Sequence, residues 1–102
     1  MLFAYTIPLN AVAFQKVQTP LSGQTIRFDI QQRSTGLYAN IWLNGTMKVA
    51  GVLCQDRTWL VREAYFGFPG DFTFVDTQGT SDPEYSALGT RYLLVYQEGQ
   101  NV

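Results

Sequence analysis

At 102 residues the chain has room for one domain and one core, since a domain of this size buries roughly two-thirds of the surface its unfolded chain exposes. Apolar residues make up 46%, aromatics 15% and charged residues 15%, the last below the roughly 25% usual in soluble domains, which leaves more surface for partners. A net charge of −1 with no basic run offers no electrostatic route to phosphate backbones, and a chain without histidine has no imidazole base, nucleophile activator or metal ligand.

Residues 2–9 alternate, with Phe3, Tyr5, Ile7 and Leu9 on one face. Pro8 lacks an N–H, so this is an expected edge strand. The apolar N-terminal stretch, residues 1–14, lacks a basic n-region and is interrupted by Pro8 and Asn10, so it reads as a strand and not as a signal peptide. Residues 12–17 form a weaker strand candidate, and Thr19-Pro20-Leu21-Ser22-Gly23 has the composition of a turn. Residues 24–32 alternate cleanly: Ile26, Phe28 and Ile30 point one way, and Thr25, Arg27, Asp29 and Gln31 the other. Ser34-Thr35-Gly36 then turns the chain into a hairpin over residues 37–53, folded about Asn44-Gly45, the preferred pair for a two-residue type I′ turn. Tyr38, Asn40 and Trp42 share one face of its first strand, and Ala39, Ile41 and Leu43 the other.

Beyond Leu53 the pattern loosens. Trp59-Leu60-Val61 fits a helical turn, with Asp56 as N-cap, as well as it fits a short strand. Gly67-Phe68-Pro69-Gly70 demands a tight turn, and residues 71–77 form a strand with Phe72 and Phe74 on one face. Residues 78–84 are the longest loop, residues 85–89 one turn of helix closed by Gly89, and residues 91–97 the last strand. Turn signals recurring every ~8 to 12 residues without a long amphipathic helix predict an all-β, single-domain β-sandwich or partly closed barrel of six to seven antiparallel strands with one or two short helical turns. The domain is expected over residues 1–97, with residues 98–102 as a tail. No window approaches ~20 continuous apolar residues, so no membrane-spanning helix is expected.

The lone Cys54 cannot form an intrachain disulfide and reads as a small buried hydrophobe. Remaining chemistry would have to be carboxylate chemistry. Asp71, Asp76, Asp82 and Glu84 cluster in the second half, but at turns and strand ends where carboxylates serve local hydrogen bonding, so no catalytic residue is assigned. The oxygen-rich stretch from Asp76 to Glu84 lacks the ligand spacing of a calcium loop and reads as a solvated loop; no metal or cofactor is expected. Five scattered arginines among aromatics read better as protein-interface groups than as a nucleic-acid groove. Trp42, Phe28, Phe74 and Leu94 are expected in the core.

The order of motifs carries a further signal. Ile7-Pro8-Leu9, Gln24-Thr25, the Trp42 strand with its hairpin, Gly51-Val52-Leu53, Asp56 with Trp59-Leu60, Gly67-Phe68-Pro69-Gly70, and Leu88-Gly89-Thr90 leading to Leu94-Val95-Tyr96 follow one another over residues 3–96. This order resembles the small baseplate plug proteins of contractile-tailed bacteriophages, of the cyanophage type. The chain departs from that pattern in a longer polar segment over residues 15–24 and in Trp59, where a leucine-like residue is more usual. The resemblance implies a non-enzymatic virion component, made in the bacterial host cytoplasm and seated at the central hub of the tail baseplate. There it would contact hub and spike proteins, with copies of itself as a further partner, and contribute to closing or assembling the tube end. No nucleic acid, membrane or small-molecule substrate is expected as a partner. The expected interface residues are Tyr5, Arg57, Trp59, Tyr65, Phe66, Phe68 and Tyr85. The alternatives are a carbohydrate-binding module that stacks sugars on Trp42, Trp59 or Tyr65, another small tail adaptor protein, or a carboxylate-based lytic enzyme.

Overall fold

Alternation of apolar and polar side chains becomes strand wherever a neighbour can take up the backbone hydrogen bonds. In the computed structural model, which describes residues 4–63 and 66–100, it does so at β1 (Ala4–Ile7), β2 (Phe14–Leu21), β3 (Gln24–Arg33), β4 (Gly36–Leu43), β5 (Thr46–Leu53), β6 (Gly70–Asp76) and β7 (Tyr92–Glu98). All pairings between these strands are antiparallel, in a three-stranded sheet of order β1-β7-β6 and a four-stranded sheet of order β2-β3-β4-β5. A 3₁₀ turn occupies Tyr85–Ala87. The fold is an open antiparallel sandwich, not a closed barrel.

The inward faces meet in one core. Ile26, Phe28 and Ile30 of β3 and Leu37, Ala39 and Ile41 of β4 are buried against Phe72 and Phe74 of β6 and Leu94 and Tyr96 of β7. Phe72 is the hub of this contact. Its ring meets Phe28 of the opposite sheet edge-on with centroids 4.8 Å apart, Phe68 edge-on at 5.9 Å, and Tyr96 at a tilt at 5.4 Å. Each such side chain contributes roughly 1.5 to 3 kcal/mol by leaving water. At one end the sheets are also joined by polar groups: the Ser22 hydroxyl lies 3.0 Å from the Tyr96 hydroxyl and donates to the Glu98 carboxylate at 2.9 Å.

The Asn44-Gly45 turn is as its sequence requires. Both residues have positive φ, 50° and 87°, and Leu43 pairs with Thr46 across it. The Asn44 side chain accepts the Thr25 N–H at 2.9 Å, which ties the turn to the neighbouring β3. β5 is an edge strand with two register shifts, and at the bulge Asn40 accepts the Gly51 N–H at 2.6 Å, with Gly51 at φ 64°.

Three expectations need correction. The stretch Thr19–Leu21 is strand, not turn; β2 runs through Pro20 because it is a sheet edge, where a residue without an N–H forfeits no ladder bond, and the turn is confined to Ser22-Gly23. Trp42 is not core. It lies half-buried on the outer face of the four-stranded sheet, because Ile41 and Leu43 take the inward positions. The segment around Trp59 is neither helix nor strand. Asp56 bridges Phe74, the Arg57 N–H donates to Phe74 O at 2.7 Å, and the Leu60 N–H donates to Phe72 O at 2.9 Å, so this irregular chain covers the outer edge of β6. Asp56 caps no helix there; its carboxylate accepts the Asp76 N–H at 2.7 Å.

Candidate interaction surface

The carboxylates that carried the only remaining prospect of catalysis all accept internal hydrogen bonds, those of Asp71, Asp76 and Asp82 from backbone N–H groups. Asp71, fully buried, accepts the N–H groups of Val61 at 2.9 Å, Arg62 at 2.7 Å and Phe72 at 2.7 Å, and so pins the segment that covers β6. Asp76 accepts the N–H groups of Gln78 and Ser81 at 2.9 and 2.8 Å and a two-pronged bond from Arg91 at 2.8 and 2.9 Å. The Arg91 guanidinium, followed by those N–H groups, holds the Asp76 carboxyl well below the usual carboxylate range, and Arg91 is raised in turn. Asp82 accepts the Asp56 N–H at 3.0 Å, and Glu84 accepts the Ser86 hydroxyl. Cys54 is buried, which pushes its thiol up to about 12 and leaves it protonated. Among the described residues no three acidic or thiol groups converge as a metal site.

The expected interface residues do not form one patch. Tyr5 is 38% exposed on β1, at the edge of the three-stranded sheet. Arg57 is exposed, with its guanidinium on the Asp56 carboxylate, on Gly79 O at 3.2 Å and on Asp76 O at 3.3 Å. It adopts φ 54°. Tyr85, 37% exposed, opens the 3₁₀ turn, and its N–H donates to Gln32 Oε1 at 3.1 Å. Arg57 and Tyr85 thus share the loop end of the sandwich. Trp59 is half-buried, with its carbonyl accepting Arg62 Nε at 2.6 Å, and Phe66 is half-buried against the core. Phe68 is a correction: expected at the surface, it is only 4% exposed, because the Gly67–Gly70 turn folds it back onto Phe72. Phe68 leads into the start of β6 while Arg57 lies beside its last residue, about 20 Å away for a strand of this length. Tyr65 lies outside the described residues.

A surface that the sequence reading did not single out is better built. On the outer face of the four-stranded sheet, β3 and β4 pair Arg27 with Trp42, Asp29 with Asn40 and Gln31 with Tyr38. The Arg27 guanidinium lies 4.4 Å from the Trp42 ring centroid and is held in place by two bonds to Asp29, at 3.0 and 3.1 Å. Arg33 lies 5.1 Å over Tyr38, whose hydroxyl is 2.8 Å from that of Thr35. Phe14, 53% exposed, and Met47, 46% exposed, flank these stacks on β2 and β5. Tryptophan and tyrosine, half-buried and each stacked against an arginine, are with arginine the residue types that dominate protein interfaces. A notch of about 40 Å³ among Phe14, Gln31, Arg33 and Tyr38 is too small for an organic ligand, and an open depression of about 310 Å³ beside Lys16, Gln18 and Arg27 is shallow.

A small open β-sandwich with hydrogen-bonded carboxylates and a sheet face of stacked arginines presents a surface suited to protein contact. Among curated proteins nothing matches the chain. A family model described as cyanophage baseplate Pam3 plug gp18 matches residues 4–99, and the chain belongs to that family. Its role is therefore that of a structural component of a bacteriophage baseplate, in the virion tail and among other baseplate proteins.

Proposed function

We propose that this chain is a non-enzymatic plug: made in the host cytoplasm, it is seated at the central hub of the baseplate against hub and spike proteins, and it contributes to closing or assembling the end of the tail tube. The observation that carries this reading is the match to the baseplate plug family over residues 4–99, nearly the whole chain. The chemistry is consistent with it. Low charge leaves surface that proteins can cover, and the buried carboxylates Asp71 and Asp76 are spent on internal bonds that hold the loops. Contact residues are proposed among the exposed Tyr5, Arg57 and Tyr85 and the half-buried Trp59 and Phe66. A sugar-stacking role has less support, because one face of Trp42 already carries Arg27 at 4.4 Å. Co-expression with the hub and spike proteins of the same phage tests the reading: the plug co-elutes with at least one of them, and failure to do so in every combination overturns it.

A further inference from the structure

Charge is unevenly divided between the two halves of the sandwich. Residues 14–53, which build the four-stranded sheet, hold Lys16, Arg27, Arg33 and Lys48 against Asp29, a net charge of +3. Residues 54–100 hold three arginines against seven carboxylates, a net charge of −4. On the positive half, the arginines are concentrated on the outer face with Phe14, Tyr38, Trp42 and Met47. On the negative half, Asp82 and Glu84 are exposed on the loop that leads into the exposed Tyr85. One copy therefore carries both members of a complementary pair of surfaces.

We propose that copies of this chain associate head to tail, the outer face of the four-stranded sheet of one copy receiving the acidic loop end, residues 78–85, of the next. This deepens the proposed function by naming the faces through which copies would meet, and it rests on that reading only for its place in the virion. The receiving face measures roughly 20 by 26 Å for four strands of about eight residues, or about 500 Å². That is below the ~800 Å² per partner of a standard stable interface, so the contact is of the weak, salt-sensitive kind. The stacks make it specific. Arg27 and Arg33 are six residues apart on one strand, about 20 Å, and each is already ordered over an aromatic ring, so little side-chain freedom is lost on docking. Asp29 sits between them and is bonded to Arg27, an arrangement that fits a carboxylate-bearing loop with neutral groups better than a continuous run of phosphates. The Tyr85–Gln32 bond shows that the loop end adjoins the Arg33 end of the sheet and does not oppose the face. Each head-to-tail step therefore turns, as a heterologous contact does in a ring or a helical array.

Sedimentation velocity on the purified full chain tests this over a concentration series at low and high salt. The expected result is self-association at about 0.05 M salt that weakens by about tenfold or more at 0.5 M. The double variant Arg27→Glu/Arg33→Glu and the double variant Asp82→Lys/Glu84→Lys are each expected to remain monomeric alone, and to associate when mixed, since each then offers the charge the other lacks. Lys16→Glu and Glu84→Lys, single changes at exposed positions, are expected to weaken association in the same direction and guard against misfolding of the doubles. A chain that is monomeric throughout, association that neither double variant alters, or a face that binds single-stranded oligonucleotide in place of a second copy overturns the proposal. None of these outcomes bears on co-elution with hub or spike proteins, so the two readings fail separately.

Discussion

Replacing Phe72 by alanine strikes the contact that joins the two sheets. The ring is fully buried and meets Phe28, Phe68 and Tyr96 at 4.8, 5.9 and 5.4 Å. Deleting a buried phenylalanine costs about 3 to 5 kcal/mol, through lost transfer energy and the cavity left behind. A domain of this size has about 5 to 15 kcal/mol in total, so the variant is expected to lose at least about a fifth of its stability. With a urea slope of about 1.5 kcal/mol per molar, the midpoint falls by about 2 to 3 M. Tryptophan fluorescence from Trp42 and Trp59 reports the transition, and Phe72→Leu, which keeps most of the volume, is expected to lose less than half as much. A double-mutant cycle with Phe28→Ala isolates the cross-sheet ring pair at about 0.5 to 1.5 kcal/mol. If Phe72→Ala costs under about 1 kcal/mol with an unchanged slope, the sheets are not held through this cluster and the description of the core is wrong.

Gly45→Ala is expected to cost about 1 to 2 kcal/mol in the same urea assay, for conformational reasons alone, because φ is 87° and an added Cβ meets nothing within 4 Å; a neutral outcome would mean the turn is not of the assigned type. The Asp76–Arg91 pair gives a pH signature: Asp76 has a lowered pKa in the folded state, so its stabilisation is full above the unfolded value of about 4 and is lost as pH falls through the lower folded value. The urea midpoints of wild type and Arg91→Met are therefore expected to differ by a constant amount above about pH 4 and to converge on acidification, and a gap that widens in acid contradicts the assignment. Cys54, whose thiol is raised from 9.0 to about 12 by burial, is expected to resist a disulfide reagent at pH 8 until the chain is unfolded; rapid labelling of the native protein would show that the site is open.

Much of the sandwich was legible in residue order. Ile26, Phe28 and Ile30 alternate against polar neighbours, and the Asn44-Gly45 turn fixes the register that buries Ile41 and Leu43. Less legible was anything held by distant partners. Residues 56–62 carry no local pattern because their bonds go to the carbonyls of Phe72 and Phe74 and to the Asp71 carboxylate, groups ten or more residues away for the most part. Phe68 looks like a turn residue and is placed in the core by a fold-back that only the tertiary structure reveals. The Arg27–Trp42 stack was within reach. The turn after Arg33 pairs that residue with Gly36, and carrying the register back along the hairpin sets Arg27 opposite Trp42. It was missed because tryptophan is assigned inward by hydrophobicity, whereas here the β-branched and leucine side chains of β4 occupy the core face.

The function proposed for this chain depends on its placement in the baseplate. Cryo-electron microscopy of the intact tail, with density assigned from side chains such as Trp42, Trp59 and the Phe72 cluster, tests it most directly. This sandwich is expected at the tube end on the central axis, in contact with hub or spike proteins. Density for the chain in the capsid, the sheath or the fibres, or its absence from the mature virion, would contradict it.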